Sequence, residues 1–484
     1  MPDEKLIYMN GIDGVTGQYL LPPMKLSDVA ALAGGEKREK NLLSWLSGVW
    51  HKISTPHLGL PLGVDPADVT RAGWGIVFLK DEDPAVIAAL QPLIEHRRKQ
   101  AGNDALVKVL EYRAGQEWQE WLDGYGVAPG SVQPTKVPYY LLLVGDPARI
   151  PLTFGQLLDV EYGVGRLHFD TPAEYAAYAA SVIDYETGQT LPNRKEAVFF
   201  GTRHPFDAAT QMSADHLVSP LADGIPAEGT EPAQPGVAEQ WGYPMRKLVG
   251  PQATKAGLLD VIRPAKGSKP PAFLFSASHG MGFPRGHPDQ RSSQGALLCQ
   301  DWNGFGNINA GQYFTAADVP EDASVHGMVI FHFACYGGGT PERDLFIHEP
   351  GQKPPVIADA PFLAALPKKW LTHPAGGALA CIGHVERAWG TSIISGMSGP
   401  QIQTFQNAIG RILIGQPLGY ALKDFNERYA ALSTGISNTL EKAGWGDKID
   451  QDALATNWIE RNDAEGYVLI GDPAVRLRAD ELAV

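Results

Sequence analysis

Apolar runs that fill a strand without alternating are the strongest constraint on this chain. Trp74-Gly75-Ile76-Val77-Phe78-Leu79, Tyr139-Tyr140-Leu141-Leu142-Leu143-Val144, Phe273-Leu274-Phe275, Met328-Val329-Ile330-Phe331 and Ala378-Leu379-Ala380-Cys381-Ile382 all read this way. A strand apolar on both faces is buried on both faces, as in a parallel sheet covered by helices. Shorter or mixed runs at 106–110, 197–200, 245–249 and 467–470 join the set. Helical patterns fall between them. Pro84 to Gln100 has Pro in its first turn and a basic end at His96-Arg97-Arg98-Lys99. Thr171 to Glu186 can be capped by Thr171 or Asp170, with Pro172 in the first turn and Glu174 at capping-box spacing. Strand alternating with helix predicts an α/β fold with a mostly parallel sheet.

The rhythm starts near residue 70, pauses after the Thr171 helix and resumes at Ala197. It predicts two stacked α/β subdomains, 1–192 and 193–484, with 1–70 irregular apart from a short helix within 40–50 carrying Leu42, Leu43, Trp45 and Leu46. At about 100–200 residues per domain, 484 residues allow this division. Further helices are expected at Ala208 to Leu221, Thr254 to Ile262 and Ala358 to Leu366, and two more over 400–441. The stretch 222–240, rich in Pro, Gly, Ala and Glu, reads as a mobile loop. Leu143-Val144-Gly145-Asp146-Pro147-Ala148 is echoed by Leu469-Ile470-Gly471-Asp472-Pro473-Ala474. Turn chemistry explains the echo: Gly bends, Asp bonds nearby N–H groups, and Pro stops the strand.

A formal charge of −14 argues against nucleic acid or an anionic membrane as the main partner. The three cysteines, Cys299, Cys335 and Cys381, are too few and odd for a disulfide framework. The start, Met1-Pro2-Asp3-Glu4-Lys5, shows no basic region followed by an apolar stretch, and no run approaches the about 20 residues of a membrane span. A cytoplasmic protein is expected.

Two strands end on reactive groups. Phe273-Leu274-Phe275 leads into Ser276-Ala277-Ser278-His279-Gly280, and Met328-Val329-Ile330-Phe331 into Phe333-Ala334-Cys335-Tyr336-Gly337-Gly338-Gly339. Ligand crevices of α/β sheets lie beyond the carboxyl ends of such strands. Neighbouring strands ending this way place a thiol beside an imidazole, the requirement of a cysteine nucleophile with a histidine acid/base. Gly280 lets its backbone approach closely, and Gly337 to Gly339 are expected to turn the chain sharply and leave the thiol accessible. A third residue orienting His279 is not legible.

The His-Gly strand followed by the Ala-Cys strand resembles the caspase-like (clan CD) cysteine peptidases. The gingipain-type branch is nearest: Tyr139 to Pro151, then Val164-Gly165-Arg166-Leu167, then Ile470-Gly471-Asp472-Pro473 flank those strands in the same order, over roughly 135–475. The resemblance implies a caspase-like three-layer α/β/α fold and a bacterial endopeptidase that acts on protein or peptide substrates, with an activator or partner protein. It implies an oxyanion hole from the amides of Gly280 and Cys335. It also implies a pocket wall in Gly383-His384-Val385-Glu386-Arg387-Ala388-Trp389. There Trp389 matches a gingipain tryptophan that stacks on the substrate side chain, with Glu386 and His384 nearby. An indole face attracts Arg or Lys, so cleavage after a basic residue is expected. Plain packing of Trp389, or neutralisation of Glu386 by Arg387, is the competing reading. Gingipains are secreted, so a cytoplasmic enzyme departs from them. Residues 1–70 match nothing in the family.

Other readings stay open. Cys335 is either the nucleophile or a small buried hydrophobe; the glycines after it and the matching His-Gly strand favour the first. Cys299 and Cys381 read as buried and inert. His332-x-x-Cys335 and Cys381-x-x-His384 have zinc-like spacing, but residues three apart on a strand face opposite ways, so neither a metal nor a cofactor is expected. The long stretch 281–326 is expected to overhang the site, and an autoprocessing site is conceivable within it or in 222–240. A catalytically silent caspase-like interaction module, or an amidase or transpeptidase using the same pair, are the alternatives to a peptidase.

Overall fold

The computed structural model describes residues 6–34, 60–61, 63–227, 232–344, 346, 353–395, 399–400 and 402–483. The helix expected within 40–50 lies outside them. Ten strands make one central sheet. They are β1 (Trp74–Leu79), β2 (Val107–Tyr112), β3 (Tyr140–Val144), β4 (Gly163–Leu167), β5 (Arg194–Gly201), β6 (Met245–Val249), β7 (Pro271–Ala277), β8 (Val329–Phe333), β9 (Ala380–His384) and β10 (Tyr467–Gly471). Their order across the sheet is β6-β5-β7-β8-β9-β10-β4-β3-β1-β2. Every residue of β1, β3, β7, β8 and β9 is buried. Successive side chains face opposite ways, so both faces of the sheet are covered and the architecture is the three-layer α/β/α arrangement.

Pairing is parallel throughout except at one seam, where β9 meets β10 antiparallel. β1–β4 thus lie on one side of β10 and β5–β9 on the other within one shared sheet, and β10, the last of the ten strands, joins β4 to β9. The sequence pattern does not mark β4, because it holds two glycines and an arginine. Gly165 faces β10, where a Cβ would come within 2.2 Å of the Gly471 carbonyl oxygen. Arg166 is buried and donates to the carbonyls of Ile150 and Pro151 at 2.7 and 2.8 Å.

Four helices carry the argument: α1 (Leu26–Gly34), α2 (Pro84–Ala101), α3 (Pro172–Thr187) and α4 (Gln451–Gly466). α3 starts as expected, with Thr171 and Glu174 forming a reciprocal capping box and Pro172 in the first turn. In place of the helix expected at Ala358 to Leu366, Phe362–Leu363 pairs with Gly339–Thr340 and a helix begins at Ala365. Described parts of 222–240 form a short antiparallel pair, Gly224–Ile225 with Gln234–Pro235, and a turn of helix at Val237–Gln240.

The echoed Gly-Asp-Pro segments work as strand stops. Asp146 and Asp472 accept the N–H groups of Ala148 and Ala474 at 2.9 and 3.0 Å. Asp472 also pairs with buried Arg97 of α2 at 2.8 Å, and Arg97 pairs with Glu186 of α3 at 2.6 Å. Burial would push the Glu186 carboxyl up; Arg97 and His96 outweigh it and hold it at about 2. No helix among the described residues is long and apolar enough to cross a membrane. β6 and β7 lie on opposite sides of β5. The chain order therefore switches there and opens a crevice at the carboxyl ends of β5 and β7.

Candidate active site

Register brings the expected pair level. Ala277 of β7 pairs with Phe333 of β8, and His279 and Cys335 each follow two residues later. Gly201 of β5 pairs with Ala277 on the other side, and the loop after β5 supplies a third group that the sequence reading missed. His279 Nε2 lies 2.8 Å from Asp207 Oδ2. That oxygen also accepts the Thr210 N–H at 3.0 Å, and Oδ1 accepts the Tyr19 hydroxyl. Burial would raise the Asp207 carboxyl; the His279 charge and these bonds outweigh it and hold it well below the usual carboxylate range. The Gly11 N–H donates to His279 Nδ1 at 2.7 Å. Nδ1 is therefore the acceptor, and Nε2 carries the hydrogen toward Asp207. Trp302 meets the His279 ring edge-on at 5.8 Å. His204, close by, is pushed down to about 4, first by burial and then by His279.

The Cys335 loop turns on Tyr336, not on the glycines. Tyr336 has φ 57, the one positive φ at a non-glycine among the described residues. Such a conformation costs about 1–3 kcal/mol and persists where neighbours enforce it. Here the Tyr336 N–H donates to the Glu386 carbonyl at 2.8 Å and the Gly338 N–H to the His384 carbonyl at 2.9 Å. The glycines serve close approach: a Cβ on Gly338 would come within 2.8 Å of the Gly383 oxygen. A Cβ on Gly280 would come within 1.8 Å of the Cys335 carbonyl oxygen, so these two backbones touch. Neither the Gly280 nor the Cys335 N–H meets an acceptor among the described residues.

The expected open thiol is corrected by the structure: Cys335 and His279 are both fully buried. The cover is the chain's own N-terminal segment. The Asn10 N–H donates to the Ala388 carbonyl at 3.1 Å, and the Ile12 N–H to the Gly280 carbonyl at 3.2 Å. Ile12–Asp13 runs parallel beside Met281–Gly282. The Cys335 thiol donates to the Asn10 carbonyl and receives the Ala388 N–H at 3.2 Å. Burial pushes this thiol far up, against smaller opposing effects of the Ala388 N–H and Arg387. The stretch 281–326 does overhang: Met281, Phe283, Ala296, Leu298 and Trp302 form one cluster with Ile12.

The three expected pocket residues lie in packed surroundings. Trp389 is buried in a cluster with Ile7, Met9, Val29 of α1, Phe346 and Trp458 of α4, and its backbone N–H donates to the Asp463 carboxylate at 2.9 Å. His384 Nε2 lies 3.1 Å from the Asp463 carbonyl. Glu386 is buried 3.5 Å from the Arg387 guanidinium, which also pairs with Asp344. Of the three, Trp389 borders the N-terminal segment. His332 is bonded at both ring nitrogens, to Ser276 at 2.7 Å and from Trp370 at 3.2 Å, and burial pushes it down to about 3. Cys299 and Cys381 are buried, with thiols pushed up by burial. Among the described residues no group of three or more His, Cys, Asp or Glu is placed to hold a metal ion.

Residues 76–478 match the model of peptidase family C25. A solved structure called "Structure of Protease" resembles 84% of this chain and 78% of its own at 11% identity, with a TM-score of 0.46. No curated protein matches. The family match spans most of the chain and contains both strand-end groups; the chain belongs to peptidase family C25, the gingipain family of cysteine-type peptidases.

Proposed function

We propose that this cysteine peptidase is an endopeptidase in which Cys335 attacks the substrate carbonyl and His279 moves the proton, held by Asp207. The N–H groups of Gly280 and Cys335 receive the oxyanion. One observation carries the reading: a single peptide unit, Asn10–Gly11, is contacted at its carbonyl by the thiol and at its nitrogen by the imidazole. A catalytic pair needs that shared reach. Gly280 contributes by having no Cβ, which lets its backbone touch that of Cys335. Losing one oxyanion donor typically costs about 3–4 kcal/mol of transition-state stabilisation.

On substrate choice we propose that the 383–390 loop forms the wall for the residue before the scissile bond. Trp389 favours a basic side chain there, once Ile7 and Met9 no longer cover the indole. His384 and Glu386 act on that wall from behind, fixing its shape through Asp463 and Arg387.

The test uses a variant with the segment loosened, Ile7→Asp with Met9→Asp. It is expected to hydrolyse a peptide panel varied only before the scissile bond. Iodoacetamide is expected to label Cys335 ahead of Cys299 and Cys381, with that advantage lost in His279→Ala. Equal slow labelling of all three thiols with no turnover sinks the enzyme reading in favour of a silent module. Equal turnover of Arg, Asn and Leu peptides sinks the specificity reading.

A further inference from the structure

We infer that the crevice holds a subsite for an apolar side chain two residues beyond the scissile bond, lined by Met281, Phe283, Ala296, Leu298 and Trp302; the inference rests on the catalytic reading above. The side chain in it now is Ile12, fully buried among those five. Its place is fixed relative to the reacting groups. The thiol contacts the Asn10 carbonyl and the imidazole the Gly11 nitrogen. The segment therefore runs in the direction of a substrate whose acyl side ends at residue 10, and Ile12 is the second residue on the departing side.

The main chain beside the pocket is built to take an added strand. Residues 279–282 are bonded along one edge to 295–298. The Met281 N–H donates to the Ala296 carbonyl at 2.9 Å, the Gly295 N–H to the Met281 carbonyl at 2.8 Å and the Leu298 N–H to the His279 carbonyl at 2.9 Å. The other edge offers the carbonyls of Gly280 and Gly282. They accept the N–H groups of Ile12 and Gly14 at 3.2 and 2.7 Å, and the result is the parallel pairing of Ile12–Asp13 with Met281–Gly282. Main-chain bonds of this kind hold any sequence, and the side chains that alternate inward choose among sequences. Ile12 turns inward and Asp13 is partly exposed. Gly14 turns inward again, where a Cβ would come within 2.4 Å of the Phe283 ring.

The walls of the pocket belong to the body of the protein. All five come from the stretch 281–302, whose own main-chain bonds stand without the segment. Trp302 also meets the His279 ring edge-on at 5.8 Å, so pocket and imidazole share a wall. None of the five carries a charge. An Ile or Leu side chain fills such a space, whereas a carboxylate there would give up its water and find no partner. Polypeptides that continue past the bond with an aliphatic second residue are the favoured substrates. An anilide, which ends at the bond, forgoes the contact.

The test first takes Ile12 out of the pocket. Ile12→Asp is added to the Ile7→Asp, Met9→Asp variant, with Ile12→Gly as a second form should the charge disturb folding. Starting from the panel peptide hydrolysed fastest, only the second residue after the bond is varied, as Ile, Leu, Phe, Gly or Asp, and product masses identify the bond cut. The Ile and Leu peptides are expected to exceed the Gly and Asp peptides about tenfold or more in kcat/KM, as apolar pockets typically discriminate. Ala296→Leu, which fills the pocket, is expected to abolish that advantage while the Gly peptide is still cut. Met281→Ala, which enlarges it, is expected to move the preference toward Phe. Equal kcat/KM across the set, or an Ile advantage that neither pocket variant alters, overturns the subsite and leaves the peptidase reading standing. Turnover by the Ile7→Asp, Met9→Asp parent that is lost in both Ile12 forms makes Ile12 a part of the working enzyme and also overturns the subsite. If none of these proteins cuts any peptide, both readings fall.

Discussion

Asp207 accepts hydrogen bonds from His279, Tyr19 and Thr210, and the last of these makes it the cap of the helix Ala208–Ser213. The two duties separate in Asp207→Asn. Asparagine caps a helix as well as aspartate does, so thermal stability is expected to stay within a few degrees. An amide beside Nε2 can also present N–H and reverse the imidazole tautomer. In the Ile7→Asp, Met9→Asp background, kcat is therefore expected to fall about 10²-fold or more with KM little changed, and Asp207→Glu to recover part of it. A fall in KM-limited binding with kcat intact would refute the positioning role. His279 and Cys335 were legible because each ends an apolar run just before glycine. Asp207 was not, since an aspartate ahead of a helix is already explained as a cap. What could have found it is the sheet order: the strand ending at Gly201 borders the histidine strand. Asn10–Gly11 gave no signal either, because residues threaded across a site take their positions from what they cover and show no period of their own.

The loops after β8 and β9 hold each other through glycine. A Cβ on Gly383 would come within 2.6 Å of the Gly338 nitrogen. Both loops border the proposed site, one carrying Cys335 and the other Ala388, and they share the Tyr336-to-Glu386 and Gly338-to-His384 bonds. Gly383→Ala is expected to force them apart, at about 1–3 kcal/mol of stability, as overpacking typically costs. Activity is expected to fall more than that loss explains, because the thiol moves relative to Ala388. Denaturant unfolding and peptide turnover, measured side by side, check this; unchanged turnover would refute it. At this scale the sheet was readable wherever a strand is apolar on both faces. β4 escaped because its approach to β10 demands glycine at 165 and its one long side chain, Arg166, spends its charge on two carbonyls. α4 escaped because its buried side includes Glu460, Asn462 and Asp463, which no apolar period reveals. The helix expected at Ala358 to Leu366 lost its first half to pairing with the glycine turn.

Across the molecule, Arg97 ties three distant stretches: α2 itself, Glu186 of α3 and Asp472 beyond β10. Removing one partner of a buried ion pair typically costs about 3–5 kcal/mol, and Arg97→Met is expected to lose that much in denaturant unfolding. The loss depends on pH with a defined sign. The folded Glu186 value, about 2, lies below its ordinary 4.5, so the unfolded chain binds more protons. Its stabilisation is complete above pH 4.5 and is lost as pH falls toward 2. The gap between wild type and Arg97→Met is expected to narrow across that window; a gap constant with pH would refute the linkage. The repeating strand and helix rhythm made a mostly parallel sheet legible, but not that one sheet holds all ten strands, since the antiparallel pairing of β9 with β10 leaves no mark on either strand alone.

That seam has a consequence for how the enzyme is made. A ribosome delivers α4 and β10 after the other nine strands of the sheet. Until they emerge, β9 and β4 have an empty lane between them, and the loop around Ala388 lacks its Asp463 anchor. The same two elements therefore complete both the sheet and the surroundings of the Ala388 loop, so the two are finished together.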